Sequence, residues 1–245
     1  MIAEHNPQDG YPKEIDWSTY KFRCSMLGQL LPGPRGKLGF LQTTQKTALR
    51  KIFMKEVWGF KKDFSSKQTE KGNHVESSAI GVVCRKYYDG YPHEKNEERM
   101  SNDFVIGTFD LRVAPRVHDI KAAYDLDTFM TASLLRDNEF QVKAYQWITG
   151  DTEGQIDKVL VNMPEHMAEK ERDQMIWKFG GPDHVDVFSD EYLEAQDELE
   201  RRLNYDRIPE EKRIKSFRAD IDNNFIEFAS EHLTVLRAEL SKMKL

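Results

Sequence analysis

Only two cysteines, Cys24 and Cys84, occur in the 245 residues. Two thiols so far apart supply neither a zinc centre nor a disulfide framework, and they fall short of the four thiolates of an iron–sulfur cluster. Buried free thiols are the expectation. Long hydrophobic runs are missing too. No stretch approaches the ~20 apolar residues that cross a bilayer, and the first residues form no basic-then-apolar leader. A soluble, cytoplasmic protein without a membrane partner is expected. A global excess of positive charge is also lacking: the formal net charge is −6, which argues against a protein that coats nucleic acid with its whole surface. The chain has no internal repeat and no low-complexity tract.

What is present is enough aromatic mass for a core. With 14 Phe and 4 Trp, the chain suits one domain over 1–245. Charge is unevenly spread. Between Lys46 and Lys71, eight bases (Lys46, Arg50, Lys51, Lys55, Lys61, Lys62, Lys67, Lys71) face three acids (Glu56, Asp63, Glu70). The C-terminal third is acidic, as in Asp190–Glu200. A basic segment on an acidic body fits a localised phosphate-binding surface, and it fits a solvated helix face equally well.

Residues 1–19, with Pro7, Gly10 and Pro12, read as an irregular arm. Lys21–Leu31 is an apolar segment broken by Pro32-Gly33-Pro34, and a loop runs on to about Gly39. From Thr43 or Thr44, the residues Leu49, Ile52, Phe53, Val57 and Phe60 recur at helical spacing, with a Thr placed to cap the helix. A second helix is predicted over Gln68–Tyr88, with Val75, Ala79, Val82 and Val83 as its buried stripe and Glu76 among them. Asn138–Thr149 reads as a helix stopped by Gly150, and Gln141 and Tyr145 share one of its faces. A strand is predicted at Ile156–Val161 and helices at Glu165–Lys178, Asp190–Leu203 and Ile221–Lys242. Arg207–Phe217 holds a turn at Pro209 and a short strand. The order indicates an α/β fold, helices on a sheet, with 190–245 as a helical C-terminal extension.

The most informative stretch is Asp103–Lys121. Two apolar runs, Phe104–Leu111 and Arg116–Ile120, flank Pro115 and read as a hairpin or two adjacent strands. The first carries Asp110 at its end; the second closes with Asp119-Ile120-Lys121. Side chains alternate along a strand, so Asp119 and Lys121 face one way and Ile120 the other. Two acids and a lysine at the ends of buried strands are costly unless paired. A divalent cation between the carboxylates, with Lys121 beside it, resolves that cost. The plainer alternative is a solvated turn acid and a surface Asp-x-Lys ion pair.

Four short motifs then fall in order: Gly72-Asn-His-Val-Glu76, Gly107-Thr-Phe-Asp110, Asp119-Ile-Lys121 and Gln141-Val-Lys-Ala-Tyr145. Together they resemble the PD-(D/E)XK nuclease superfamily, in the branch of lambda-type exonucleases, YqaJ-like viral recombinases and RecB-like nuclease domains. Arg23-Cys-Ser25-Met-Leu-Gly28 is similar to the Ser-containing element that precedes a basic helix in the viral enzymes. Likeness to phage proteins runs through Val161-Asn-Met-Pro164 and Arg207-Ile-Pro-Glu-Glu-Lys-Arg213, and so covers most of residues 20–220. The chain departs from the pattern in three ways. It has Asp119 where Glu is commoner, Phe109 in place of a Pro, and none of the cysteines of the iron–sulfur members.

The resemblance implies a restriction-endonuclease-like core, a central mixed sheet flanked by helices, and a Mg²⁺- or Mn²⁺-dependent nuclease that hydrolyses DNA phosphodiester bonds. An exonuclease of phage recombination or replication, working in the host cytoplasm, is the specific expectation. Glu76, Asp110, Asp119 and the Ile120 carbonyl would hold the metal. Lys121 would position or help deprotonate the attacking water and stabilise the transition state, with Gln141 and Tyr145 supporting the site. Arg23 and Ser25 would bind a DNA phosphate, and the basic helix (Lys46, Arg50, Lys51) would hold backbone phosphates without reading sequence. His74 is read as solvent-facing or phosphate-touching. Two other readings stay open. One is a catalytically silent DNA-binding or scaffold subunit. The other is an accessory role in which the acidic helices at Tyr192–Arg202 and Asp220–Leu245 bind a partner such as a single-strand annealing protein. A homo-oligomer is implied by the lambda-type likeness alone.

Overall fold

The computed structural model describes residues 10, 12–33, 41–60 and 66–244. Lys61 and Lys62 of the basic segment, and most of the N-terminal arm, lie outside them. In chain order the elements begin with β1 (Phe22–Arg23), a 3-10 turn, α1 (Leu27–Leu30), α2 (Thr43–Trp58) and α3 (Lys67–Tyr87). Next come β2 (Met100–Ser101), β3 (Val105–Gly107), β4 (Leu111–Val113), β5 (Arg116–Ala123), α4 (Leu126–Met130) and α5 (Arg136–Thr149). The chain closes with β6 (Glu153–Leu160), α6 (Glu165–Lys178), α7 (Asp190–Leu203), β7 (Ile214–Arg218) and α8 (Asn223–Lys242).

A mixed sheet in the order β4-β5-β6-β7 organises the rest, with a smaller sheet, β1-β3-β2, beside it. β5 and β6 run parallel over eight residue pairs, because α5 supplies the crossover between them. The outer strands are antiparallel. Period-two alternation divides the sheet's side chains between two layers. Ile120, Val159 and Ile214 pack with Val75, Ala79, Val82 and Val83 of α3. Val117 and Ile156 pack on the other side with Val142, Ala144 and Tyr145 of α5. Gly150, with φ of 75°, ends α5 in the left-handed conformation that its sequence position calls for.

Several expectations need correction. The apolar run Phe104–Leu111 is not one strand: it is split between the two sheets, and Thr108–Asp110 is the joint. The cap of α2 is Gln42, in a reciprocal capping box with Gln45, rather than a Thr. Residues 12–19 are irregular as expected, but Trp17 is buried in the main core. The stretch 190–245 is no mere helical extension. β7 pairs with β6, and the apolar side of α8 (Phe225, Leu233, Leu236, Leu240) is buried in the same core as Trp17. No helix among the described residues is long and apolar enough to cross a membrane.

Lys71, counted above with the phosphate-binding bases, is 1% exposed. Its Nζ donates to the carbonyls of Ala123, Tyr124 and Val161 at 3.1, 2.8 and 2.9 Å. Those carbonyls end β5 and β6, where the ladder can no longer satisfy them, so the ammonium acts as a clasp from α3 onto the sheet. Burial pulls its pKa down to about 8. Lys71→Ala is expected to cost about 2–4 kcal/mol of unfolding free energy, from the cavity and the abandoned carbonyls. A urea titration measures this, and an unchanged midpoint would contradict the clasp.

Candidate active site

Asp110 sits one residue before β4, outside the regular register in which Leu111 pairs with His118, and its N–H donates to the His118 carbonyl at 3.3 Å. Its side chain turns back on the partner strand, where Oδ2 accepts the Ile120 N–H at 2.6 Å. That bond brings Asp110 beside Asp119. Asp119 is 1% exposed. Its Oδ1 accepts Lys121 Nζ at 2.8 Å and Gln141 Nε2 at 3.1 Å. The same Gln141 nitrogen donates to the Tyr145 hydroxyl at 2.7 Å. Thus strand alternation and the one-turn spacing on α5 gather Asp119, Lys121, Gln141 and Tyr145 on one face, while Ile120 packs in the opposite layer.

The electrostatics of this group are unbalanced. Burial, and then the Asp119 charge, push the Asp110 carboxyl up to about 7. Burial pulls the Lys121 ammonium down, but Asp119, Asp110 and Glu76 outweigh it, so the lysine is held above its ordinary value and charged. Tyr145 is driven far above the phenol range by burial and then by Asp119; its hydroxyl therefore keeps its proton. One atom has no balancing partner. Asp119 Oδ2 is buried and accepts no hydrogen bond. An unpaired buried carboxylate oxygen next to a second carboxylate is the donor chemistry of a hard divalent cation, and the Ile120 carbonyl adds a third oxygen of the same kind. Glu76 has a partner of its own. Glu76, Asp110 and Asp119 do not close to within 4.8 Å of one another, and Glu76 Oε2 accepts from Lys95 at 2.7 Å.

The motif glycines separate into two kinds. A Cβ on Gly107 would come within 2.8 Å of both Cys24 Sγ and Tyr145 Cε1, so the strand can approach α5 only without a side chain there. A Cβ on Gly72 would meet nothing within 4 Å, and protein packing gives no reason for that glycine.

Beside Gly107 a polar cavity of about 230 Å³ is lined by Arg23, Ser25, Arg99, Thr108 and Tyr145 among others. Arg23 and Ser25 were expected near a phosphate; Arg99 was missed, because only the fold carries that loop to β1. Lys46 and Arg50 line a different cavity with Glu239 and Met243, and Lys51 is exposed on the same helix. Lys158 was also missed. It lies directly opposite Lys121 in the β5–β6 register. Among the described residues it has no hydrogen-bond or ion-pair partner, and burial, then Lys121, lower its pKa. The signal in the sequence was a lone lysine in an apolar strand, which acquires meaning only through the register.

The sequence matches no protein-family model and no curated protein. Solved structures do resemble the chain. A phage-related exonuclease from Haemophilus somnus 129PT aligns with a TM-score of 0.70 at 22% identity, covering 91% of this chain and 95% of that one. An alkaline exonuclease from Laribacter hongkongensis aligns at 0.58 and 10% identity, covering 92% and 91%. Its complex with dAMP aligns at 0.57 and 11%, covering 90% and 88%. These likenesses show the fold: the chain is built as those exonucleases are, in keeping with the PD-(D/E)XK resemblance of its motifs.

Asp110 binds its proton more tightly folded than unfolded, so metal-free stability falls as pH rises from about 4 to about 7. Asp110→Asn keeps the oxygen that accepts the Ile120 N–H and removes the charge. In EDTA at pH 8 its Tm is expected to exceed the parent's by about 2 °C or more, with a flatter pH profile. A lower Tm would contradict the repulsion.

Proposed function

We propose that the chain is a Mg²⁺- or Mn²⁺-dependent deoxyribonuclease, an exonuclease of the phage recombination or replication type. The observation that carries the reading is the buried, unpartnered Oδ2 of Asp119 beside a second carboxylate and a charged lysine. Asp110, Asp119 and the Ile120 carbonyl would hold the cation, with Glu76 reaching it through water after leaving Lys95. When bound, such a cation lowers the pKa of an attacking water and offsets charge growing on the phosphate.

Each side chain then has a distinct task. Lys121 is kept charged by its neighbours, so it presents an ammonium to a non-bridging phosphate oxygen and stabilises the transition state rather than taking a proton. Gln141 fixes the carboxylate plane of Asp119, and the Tyr145 hydroxyl fixes Gln141. Lys158 adds a second positive charge on the same face and, having no ion pair of its own among the described residues, would meet a phosphate there. Arg23, Ser25 and Arg99 would hold a neighbouring phosphate in the polar cavity. Lys46, Arg50 and Lys51 would contact the DNA backbone further along, which makes binding weaken as salt rises. The exonuclease likenesses of fold support this assignment, and the acidic outer faces of α7 and α8 leave room for a protein partner such as a single-strand annealing protein.

The test is cleavage of end-labelled linear and circular DNA with Mg²⁺, Mn²⁺ or EDTA. Degradation of the linear form alone, abolished by EDTA and reduced at least about 100-fold in Lys121→Ala, is expected. Lys158→Ala is expected to lose about tenfold, with binding in EDTA less affected than cleavage. Cutting of circles would make the enzyme an endonuclease at the same site. A folded protein that binds DNA and cleaves neither form with either metal would overturn the catalytic assignment.

A further inference from the structure

A second group of ligating side chains lies between α3 and α6. Glu70 and His74 stand one turn apart on α3, and His166 lies in the first turn of α6. One ligand atom from each falls within 4.8 Å of the other two. The two imidazoles meet edge to face, with ring centroids 4.4 Å apart. Neither makes a hydrogen bond among the described residues. His166 Nε2 and Lys170 Nζ each approach Glu70 Oε1 only to 3.9 Å, too far for a hydrogen bond. Meanwhile the Lys67–Glu171 ion pair, at 2.5 Å, clamps the same two helices together. The packing therefore holds three ligand atoms in a common frame without a hydrogen bond between them.

We propose that Glu70, His74 and His166 form a transition-metal site that takes Zn²⁺, separate from the oxygen site at Asp110 and Asp119. Two imidazoles and one carboxylate are a recurrent zinc ligand set that leaves a fourth position for water. Imidazole nitrogen also selects against Mg²⁺, which prefers oxygen. Zn–N and Zn–O bonds of about 2.0–2.2 Å place tetrahedral ligand atoms roughly 3.4 Å apart; exposed side chains reach that spacing by small torsional changes. Zinc here would bridge α6 to α3, the helix that carries Lys71 and Glu76, and would stabilise the folded chain by mass action. His74 thus has a use that the motif around it did not suggest. The inference does not depend on the nuclease assignment.

The experiment is calorimetric titration of Zn²⁺ into the metal-stripped full chain carrying Asp110→Asn and Asp119→Asn, which removes the competing carboxylates. The parent chain in excess Mg²⁺ is run in parallel, so that a folding defect in the double variant decides nothing. One equivalent is expected to bind, with a rise in Tm. Adding His74→Ala or His166→Ala should weaken binding at least about tenfold with little change in the metal-free Tm, because both side chains are exposed. Co²⁺, used as a visible-absorption probe, should give a ligand-field band that the same variants lose. Lack of stoichiometric Zn²⁺ binding in both backgrounds, or equal affinity in the histidine variants, would overturn the site.

Discussion

Two carboxylates, Asp110 and Asp119, share one buried pocket in which, among the described residues, Lys121 alone forms an ion pair with Asp119, and one carboxylate oxygen is left without a partner. The fold creates this arrangement and holds it in place. The Ile120 N–H fixes Asp110 against the partner strand, Gln141 fixes Asp119 from α5, and Asp119 Oδ2 is left without a donor. A protein selected for stability alone would place an apolar residue there, or a hydrogen-bond donor to that oxygen. The destabilisation is offset elsewhere, in the layers of Val, Ile and Leu on both faces of the β5–β6 pair.

The sheet's architecture explains why the group forms at this point. Phe104–Leu111 breaks at Thr108–Asp110 to pass from the small sheet into the large one, and the break frees Asp110 from an ordinary ladder position. The parallel β5–β6 pairing then sets Lys158 opposite Lys121, while Gly107 lets the strand come close enough for Tyr145 to complete the wall. Electrostatics, register and one absent Cβ therefore act on the same small group of side chains.

Much of this was legible in the sequence, wherever the signal was local. α6 and α7 begin and end where the helical pattern does, Gly150 ends α5, and the alternation at Asp119-Ile120-Lys121 assigns the correct faces. Non-local features were hidden. A lysine in a run of bases reads as exposed, yet Lys71 is the most thoroughly bonded ammonium described, because its three carbonyl partners come from strand ends far along the chain. Arg99 and Lys158 likewise gain their positions from pairing that spacing along the chain does not express. β7 was visible as a short strand, but its place beside β6 was not. Glu70, His74 and His166 meet only because α6 packs on α3.

Diffraction can show whether the Asp110–Asp119 pair holds the proposed divalent cation. A crystal soaked in Mn²⁺ and measured near the manganese edge should give an anomalous peak within bonding distance of Asp119 Oδ2 and an Asp110 oxygen, and no such peak in Asp119→Asn. A well-ordered crystal whose Asp119 Oδ2 instead faces a protein donor or an ordinary water, with no anomalous density at saturating Mn²⁺, would contradict that proposal.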